Sequence, residues 1–145
     1  MASGGTAPPL SLTDLFGASG IAADENDDGY PDRLKICIGV EAGLTDAGVW
    51  AQVLNLAARL AGEVTALDLP VVKTLRQLSG GEAALVVHRP SKRHAFGAEL
   101  RRAGRTVHLE GRSAARMAEV LYSLAVEAGP PHREKTRWTS MRIAE

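Results

Sequence analysis

Residues 83–88, with the sequence AALVVH, constrain the fold of this chain more than any other feature. The segment is almost continuously apolar, which is typical of a strand that is buried on both faces at the centre of a sheet. A glycine-containing turn at residues 79–81 precedes it. Such a strand needs a neighbour on each side and a layer of other elements over the sheet. The rest of the chain is therefore expected to supply both.

Three further segments have the composition of strands, at residues 34–40, 64–69 and 105–110. In the first of them, Ile36, Ile38 and Val40 fall on one face by alternation, which indicates one buried face. Pro70 follows the second, and a proline there predicts that this strand ends at a sheet edge or leaves the sheet. The single cysteine, Cys37, excludes an internal disulfide and is predicted to be a small buried apolar residue.

Two amphipathic helices are predicted, from Thr45 or Asp46 to about residue 61 and from Ser113 to about residue 128. A glycine follows each, as is common at helix ends. The predicted buried stripes consist of Val49, Trp50, Val53, Leu54, Ala57 and Leu60 in the first helix, and of Met117, Val120, Leu121, Leu124 and Ala128 in the second. A third, short helix is predicted over residues 94–103.

This order of elements predicts an α/β fold, a two-layer sandwich with a mixed four-stranded sheet and two main helices. Mixed strand directions are expected because the link between the strands at 64–69 and 83–88 has no helix. The length of 145 residues suits one domain. We therefore expect an N-terminal segment at 1–23, a single α/β domain at 24–129 and a C-terminal tail at 130–145.

The charges balance, with 17 Lys and Arg residues against 17 Asp and Glu residues, so nucleic-acid or membrane binding is not expected from net charge. The basic stretch at 88–116 lacks the interleaved aromatic residues typical of RNA binding. No apolar run approaches the roughly 18 residues of a membrane helix. The first residues lack the pattern of a signal peptide, so a cytoplasmic location is expected for the chain as given, unless it is a fragment of a longer protein.

The acidic segment DENDDGYPD at residues 24–32 has the spacing of a cation-binding loop. Its alternating oxygen side chains can point at one centre, as calcium requires, and a glycine occupies the sixth position. The segment resembles the aspartate-rich calcium loops of EF-hand, dockerin and thrombospondin type 3 repeats. The resemblance implies side-chain ligands from Asp24, Asn26 and Asp28, a backbone carbonyl ligand from Tyr30, and Asp32 bound directly or through water.

The loop departs from this family pattern at its twelfth position, where Lys35 stands in place of a bidentate glutamate. Asp14 or Glu41 would have to supply the missing oxygens from elsewhere in the chain. The alternative interpretation is a turn rich in Asp, Asn and Gly that leads into the first strand. Calcium is the one cofactor that the sequence suggests.

Histidines and the turn at residues 111–113 are the other candidate binding features. Alternation can place His88 and His108 at related ends of two strands, but a zinc site needs three or four converging ligands and no H-x-x-x-H or C-x-x-C spacing occurs. We interpret these histidines as strand-end or surface residues. Gly111-Arg112-Ser113 lies at a helix start, which can bind an anion, although the nucleotide-binding glycine motifs are absent.

The segment at residues 105–128 resembles part of a known kind of domain. Its strand, the turn Leu109-Glu110-Gly111 and the helix ending VLYSL are similar to the small N-terminal α/β domains of bacterial glycoside hydrolases such as α-glucuronidases and hexosaminidases. Those domains are non-catalytic and pack on the barrel that carries the chemistry. The resemblance therefore implies an architecture and no active-site residue.

No sequence motif of a catalytic site is present, so the leading prediction is a non-catalytic interaction module or accessory subunit that docks with a larger protein partner. Trp138, Met141 and Ile143 follow a Pro-Pro break and suit a docking segment. The alternative is a small-ligand or anion-binding enzyme subunit that uses the turn at 111–113.

Overall fold

The computed structural model describes residues 22–23, 25–27, 32–34, 36–62, 64, 70–80, 82–127 and 142–143. Its strands are β1 (Ala22–Ala23), β2 (Arg33–Leu34), β3 (Cys37–Val40), β4 (Val72–Thr74), β5 (Ala84–Val87), β6 (Ala98–Ala103), β7 (Thr106–Glu110) and β8 (Arg142–Ile143). Its helices are α1 (Ala47–Gly62), a 3-10 helix (Leu75–Gln77) and α2 (Ala114–Glu127).

The main sheet has the strand order β4-β3-β5-β7-β6-β8. The strands β4, β3, β5 and β7 run parallel, while β6 is antiparallel to β7 and the two-residue strand β8 is antiparallel to β6. The prediction of a mixed sheet is confirmed, although the sheet has more strands than the predicted four. The segment at 84–87 is a central strand, as its apolar composition predicts, and both of its neighbours run parallel to it.

The two α-helices pack against each other and on one face of the sheet, which confirms the two-layer sandwich. Alternate residues of each central strand point into this layer, among them Ile38 of β3, Leu85 of β5 and Leu109 of β7. The helices contribute Val49, Val53, Leu56, Leu60, Met117, Val120, Leu121, Leu124 and Ala125 to the same core.

Both helices begin at the predicted caps. The Asp46 carboxylate accepts a hydrogen bond from the backbone N–H of Val49 at 2.9 Å, and the Ser113 hydroxyl accepts one from Arg116 at 3.3 Å. The predicted stripe of α1 is wrong at Leu54, whose surface is 57% exposed. Leu54 follows the buried Val53 by one residue, so helical rotation turns it away from the sheet.

The helix predicted over residues 94–103 is wrong, because β6 occupies most of this range. Its Ala, Glu, Leu and Arg residues have good helix propensity, but Leu100 pairs with Leu109 and the strand completes a hairpin with β7. Gly104, with a φ of 60°, allows the tight turn between the two strands. Tertiary pairing here overrides local propensity.

The strand predicted at 64–69 lies largely outside the described residues, and the strand beside β3 is β4, after Pro70. β4 lies at the edge of the sheet. The prediction from Pro70 concerned the end of the strand at 64–69 and stays a prediction. The link from β4 to β5 has no α-helix, but both strands run parallel to β3. The antiparallel pairs of this sheet are β6 with β7 and β6 with β8. Most of the predicted tail at 130–145 also lies outside the described residues. Its described part, β8, pairs with β6 at the edge of the sheet.

Candidate metal centre

The chain reverses its direction of travel across the sheet at β3. From β3 the link through α1 leads to β4 on one side, and the link through the 3-10 helix then passes β3 to reach β5 on the other side. Because crossovers between parallel strands are right-handed, two such links lie on opposite faces. Leu75 and Leu78 do pack on the face away from α1, where a Cβ on Gly39 would lie 2.8 Å from Leu78 Cδ1.

Open α/β sheets bind ligands outside the carboxyl ends of their strands at such a reversal. Here Glu41 follows β3, His88 follows β5 and Glu110 ends β7. His108 lies two residues before Glu110, so both side chains point to the same face of the sheet, away from the helices. Four polar side chains therefore gather at the carboxyl end of the face that the α-helices leave uncovered.

The two histidines of this group are in direct contact. His88 Nε2 lies 2.8 Å from His108 Nδ1. The ring planes are within 20° of each other and the ring centroids are 5.1 Å apart, so the rings meet edge to edge through these two nitrogens. One of these nitrogens therefore donates a proton to the other.

The second nitrogen of the His108 ring identifies the tautomer of His108. The Thr106 hydroxyl donates its single proton to the carbonyl of Ala103 at 2.8 Å, so it accepts from His108 Nε2 at 3.1 Å. The lone pair of His108 is therefore on Nδ1, and His88 Nε2 is the donor of the pair. On the far side of the His88 ring, Nδ1 lies 3.4 Å from Glu41 Oε2.

Glu110 completes the group. Its Oε1 lies 3.8 Å from His88 Nε2 and accepts a hydrogen bond from the Arg101 guanidinium at 2.9 Å. That hydrogen bond lowers the pKa of Glu110, and burial opposes it only in part. The carboxylate is charged at neutral pH, which is the form that binds a cation.

The pKa values of Glu41 and His108 are also lowered. A hydrogen bond from the backbone N–H of Arg89, at 2.7 Å, is the main reason that the pKa of Glu41 is lowered. Burial is the main cause that lowers the pKa of His108, and the charges of His88 and Arg101 add to it. His108 is therefore a neutral imidazole at neutral pH.

This geometry fits a transition-metal ion. One ligand atom each from His88, His108 and Glu110 lies within 4.8 Å of the others. Zinc bonds of about 2.0–2.1 Å at tetrahedral angles separate neighbouring ligand atoms by about 3.3 Å. The observed separations of 2.8 and 3.8 Å lie on either side of that value. Both rings face each other through these nitrogens, so each has to turn for the two lone pairs to converge on an ion.

The predicted calcium loop is only partly described. Asp24, Asp28 and Tyr30 lie outside the described residues, so calcium binding stays a prediction. The described Asn26 and Asp32 lie in the connection between β1 and β2, and Asp32 Oδ2 accepts a hydrogen bond from the backbone N–H of Glu25 at 2.7 Å.

The turn at 111–113 uses its backbone donors within the fold. The N–H of Arg112 donates to the carbonyl of Phe96, and the N–H of Ser113 donates to the carbonyl of Gly97. A Cβ on Gly111 would clash with the Gly97 carbonyl, so the two segments are in close contact. These two N–H groups are therefore not available to an anion.

Sequence reasoning considered His88 and His108 but missed their carboxylate partners. Glu41 and Glu110 are 47 and 22 residues from His88, as the sequence numbers show, so no short motif connects them. The available signal was their shared position, since each comes at the carboxyl end of a strand. His94, in the loop after β5, is half-buried and close enough to contribute to the lowered pKa of Glu110. His132 lies outside the described residues.

Comparison of the chain with protein-family models, with curated proteins and with solved structures finds no match. The resemblances of residues 24–32 and 105–128 to known families therefore stay predictions. Within the described ranges, neither α-helix combines the length and the apolar character needed to cross a membrane.

Proposed function

We propose that this domain binds a divalent transition-metal ion through His88 Nε2, His108 Nδ1 and Glu110 Oε1. The observation that carries the proposal is the convergence of the two ring nitrogens, 2.8 Å apart, beside a charged carboxylate. Sets of two histidines and one carboxylate bind zinc and ferrous iron in proteins. Calcium and magnesium prefer sites made of oxygens and fit this one poorly.

The groups around the three ligands support the same assignment. Metal-binding histidines donate their second N–H to a carboxylate or another oxygen acceptor, which fixes the tautomer and the ring orientation. Glu41 takes this position beside His88, and the Thr106 hydroxyl takes it beside His108. The side chains of His88 and Glu110 are 24% and 19% exposed, so an ion can enter from solvent.

Zinc titration by calorimetry, on the full chain after treatment with a chelator, tests the proposal. We expect one zinc per chain, and His108→Ala or Glu110→Gln should weaken binding at least about tenfold because each removes one of three ligands. Glu119→Gln is the matched control, since Glu119 lies on the exposed side of α2 and pairs with Arg116. Unchanged zinc binding in His108→Ala would contradict the assignment.

The second candidate function is the interaction module with a larger protein partner. Tyr122 and Val126 favour it, because they lie one helical turn apart on α2 and are 54% and 57% exposed. Cross-linking in extracts of the host, with wild type and with the Tyr122→Ser/Val126→Ser variant, tests this face. Equal recovery of a partner by both proteins would exclude it as the docking surface.

A further inference from the structure

We propose that the metal ion, once bound, takes a doubly charged oxyanion, the phosphate group of a ligand, at its remaining coordination position. This inference rests on the proposed metal site and names the class of ligand that it serves. Three protein ligands leave one position of a tetrahedral ion open, as in zinc sites that act on substrates. The cluster found among the described residues contains three such groups.

The charges of the site do not balance a bound divalent ion. Glu110 is already paired with Arg101 at 2.9 Å, and Glu41 with Arg89 at 3.5 Å. The two histidine ligands bind an ion as neutral imidazoles. The double charge of the ion is therefore not balanced by these two carboxylates, and a half-buried charge without a counter-charge is costly.

A basic loop follows His88 and lies beside the site. Arg89, Lys92 and Arg93 follow His88 and are exposed. A hydrogen bond of 2.8 Å from the Ser91 N–H to the carbonyl of Gly111 fixes this loop next to the end of β7. Arg89 therefore lies beside the site through its pair with Glu41, and the backbone of this basic loop is held at the same end of the sheet, where positive charge attracts a negatively charged ligand.

The charge of the site and its arginine side chains favour a phosphate over a carboxylate. A phosphate carries up to two charges and three free oxygens, and the guanidinium group of arginine matches its geometry with paired hydrogen bonds. Arg101 is half exposed, and Arg89 is 57% exposed at its side chain, so both can turn towards a ligand. A single carboxylate would balance only half of the charge of the ion.

The test uses the cobalt-loaded full chain, because the visible absorption of cobalt(II) reports its coordination. We expect inorganic phosphate to change the spectrum in a saturable way, and acetate at the same concentration and ionic strength to have little effect. In Arg89→Gln/Arg101→Gln, phosphate affinity should fall at least about tenfold, since two charged donors are lost. Phosphate is titrated at saturating cobalt, so that a change in cobalt affinity in this variant does not enter the comparison. Arg59→Gln/Arg116→Gln is the charge-matched control on the helices.

The outcomes separate this inference from the proposed function. Failure of cobalt to bind overturns both. Cobalt binding without a phosphate response, or with an equal response to acetate, overturns the phosphate inference alone. A changed cobalt spectrum in His94→Ala before phosphate is added would mean that His94 closes the fourth position, which also overturns it.

Discussion

His88 and His108 come from neighbouring parallel strands, and their rings meet through Nε2 and Nδ1 at 2.8 Å. The register of β5 and β7 makes this possible, since Val86 pairs with His108 and the next outward position, directly after β5, is His88. The contact is diagonal across the ladder, where long side chains still reach each other. The geometry of the candidate site therefore follows from the pairing of the two strands.

Thr106 should influence metal binding without touching the ion. Thr106→Val removes the acceptor for His108 Nε2, which frees the ring to turn and to change tautomer. We expect zinc affinity to fall about 10–100-fold, the usual cost of losing such a partner. Competition with a chromophoric chelator measures it. Thr106→Ser keeps the hydroxyl and should retain most of the affinity, and an equal loss in both variants would contradict this role.

The second helix should contribute strongly to stability through its buried side. Leu121 is fully buried in the core, so Leu121→Ala should reduce the free energy of unfolding by about 2–5 kcal/mol. The adjacent Tyr122 is 54% exposed, and Tyr122→Ala should cost about 0.5 kcal/mol or less. Chemical denaturation measures both, and similar losses in the two variants would overturn the assignment of the buried face.

Cys37 should react slowly in the folded protein. Burial, with the nearby Glu82 carboxylate as the second cause, raises the pKa of the Cys37 thiol from 9.0 to about 11. The thiolate is the reactive form, so alkylation at pH 8 should be about 100-fold slower than in the unfolded chain. Iodoacetamide labelling with and without urea, followed by mass spectrometry, measures the ratio. Comparable rates would show that the thiol is not held as described.

Glu82 should make stability depend on pH in the acid range. A hydrogen bond from Lys73 at 2.7 Å is the main cause that lowers the pKa of Glu82 below its ordinary value of 4.5. In that range the unfolded chain binds the proton more readily, so the stabilisation is complete above about pH 4.5 and is lost as pH falls through the lower, folded value.

The variant Glu82→Gln tests this dependence. It should be less stable than wild type in urea at pH 7, and the difference should shrink at pH 3. Glu119→Gln, an exposed control on α2, should show a smaller difference at pH 7. A difference for Glu82→Gln that is the same at both pH values would contradict the ion-pair explanation.

The acidic loop at residues 24–32 is predicted to bind calcium weakly, because the twelfth position lacks its glutamate. Calorimetry should detect heat at millimolar calcium in wild type and none in Asp24→Ala/Asp28→Ala. His108→Ala should keep the calcium signal, since it changes only the proposed transition-metal site. Absence of heat in wild type would leave the loop as a structural turn.

Local patterns in the sequence were sufficient for the elements that are defined by short-range physics. The apolar run at 83–88 predicted a central strand, and Asp46 and Ser113 predicted the helix starts, because burial on two faces and capping each need only neighbouring residues. Residues 98–103 show the limit of this approach. Their side chains favour a helix, and pairing with β7 makes them a strand.

The sequence by itself determined the residue types at the strand ends, the histidines and glutamates that could hold an ion, and the alternation that directs them outward. Only the tertiary structure decided that Glu41, His88, His108 and Glu110 belong together. The physical reason is that they come from three strands whose order in the sheet follows from crossover connections and the packing of both helices on one face. Distance along the chain carries no information about that order.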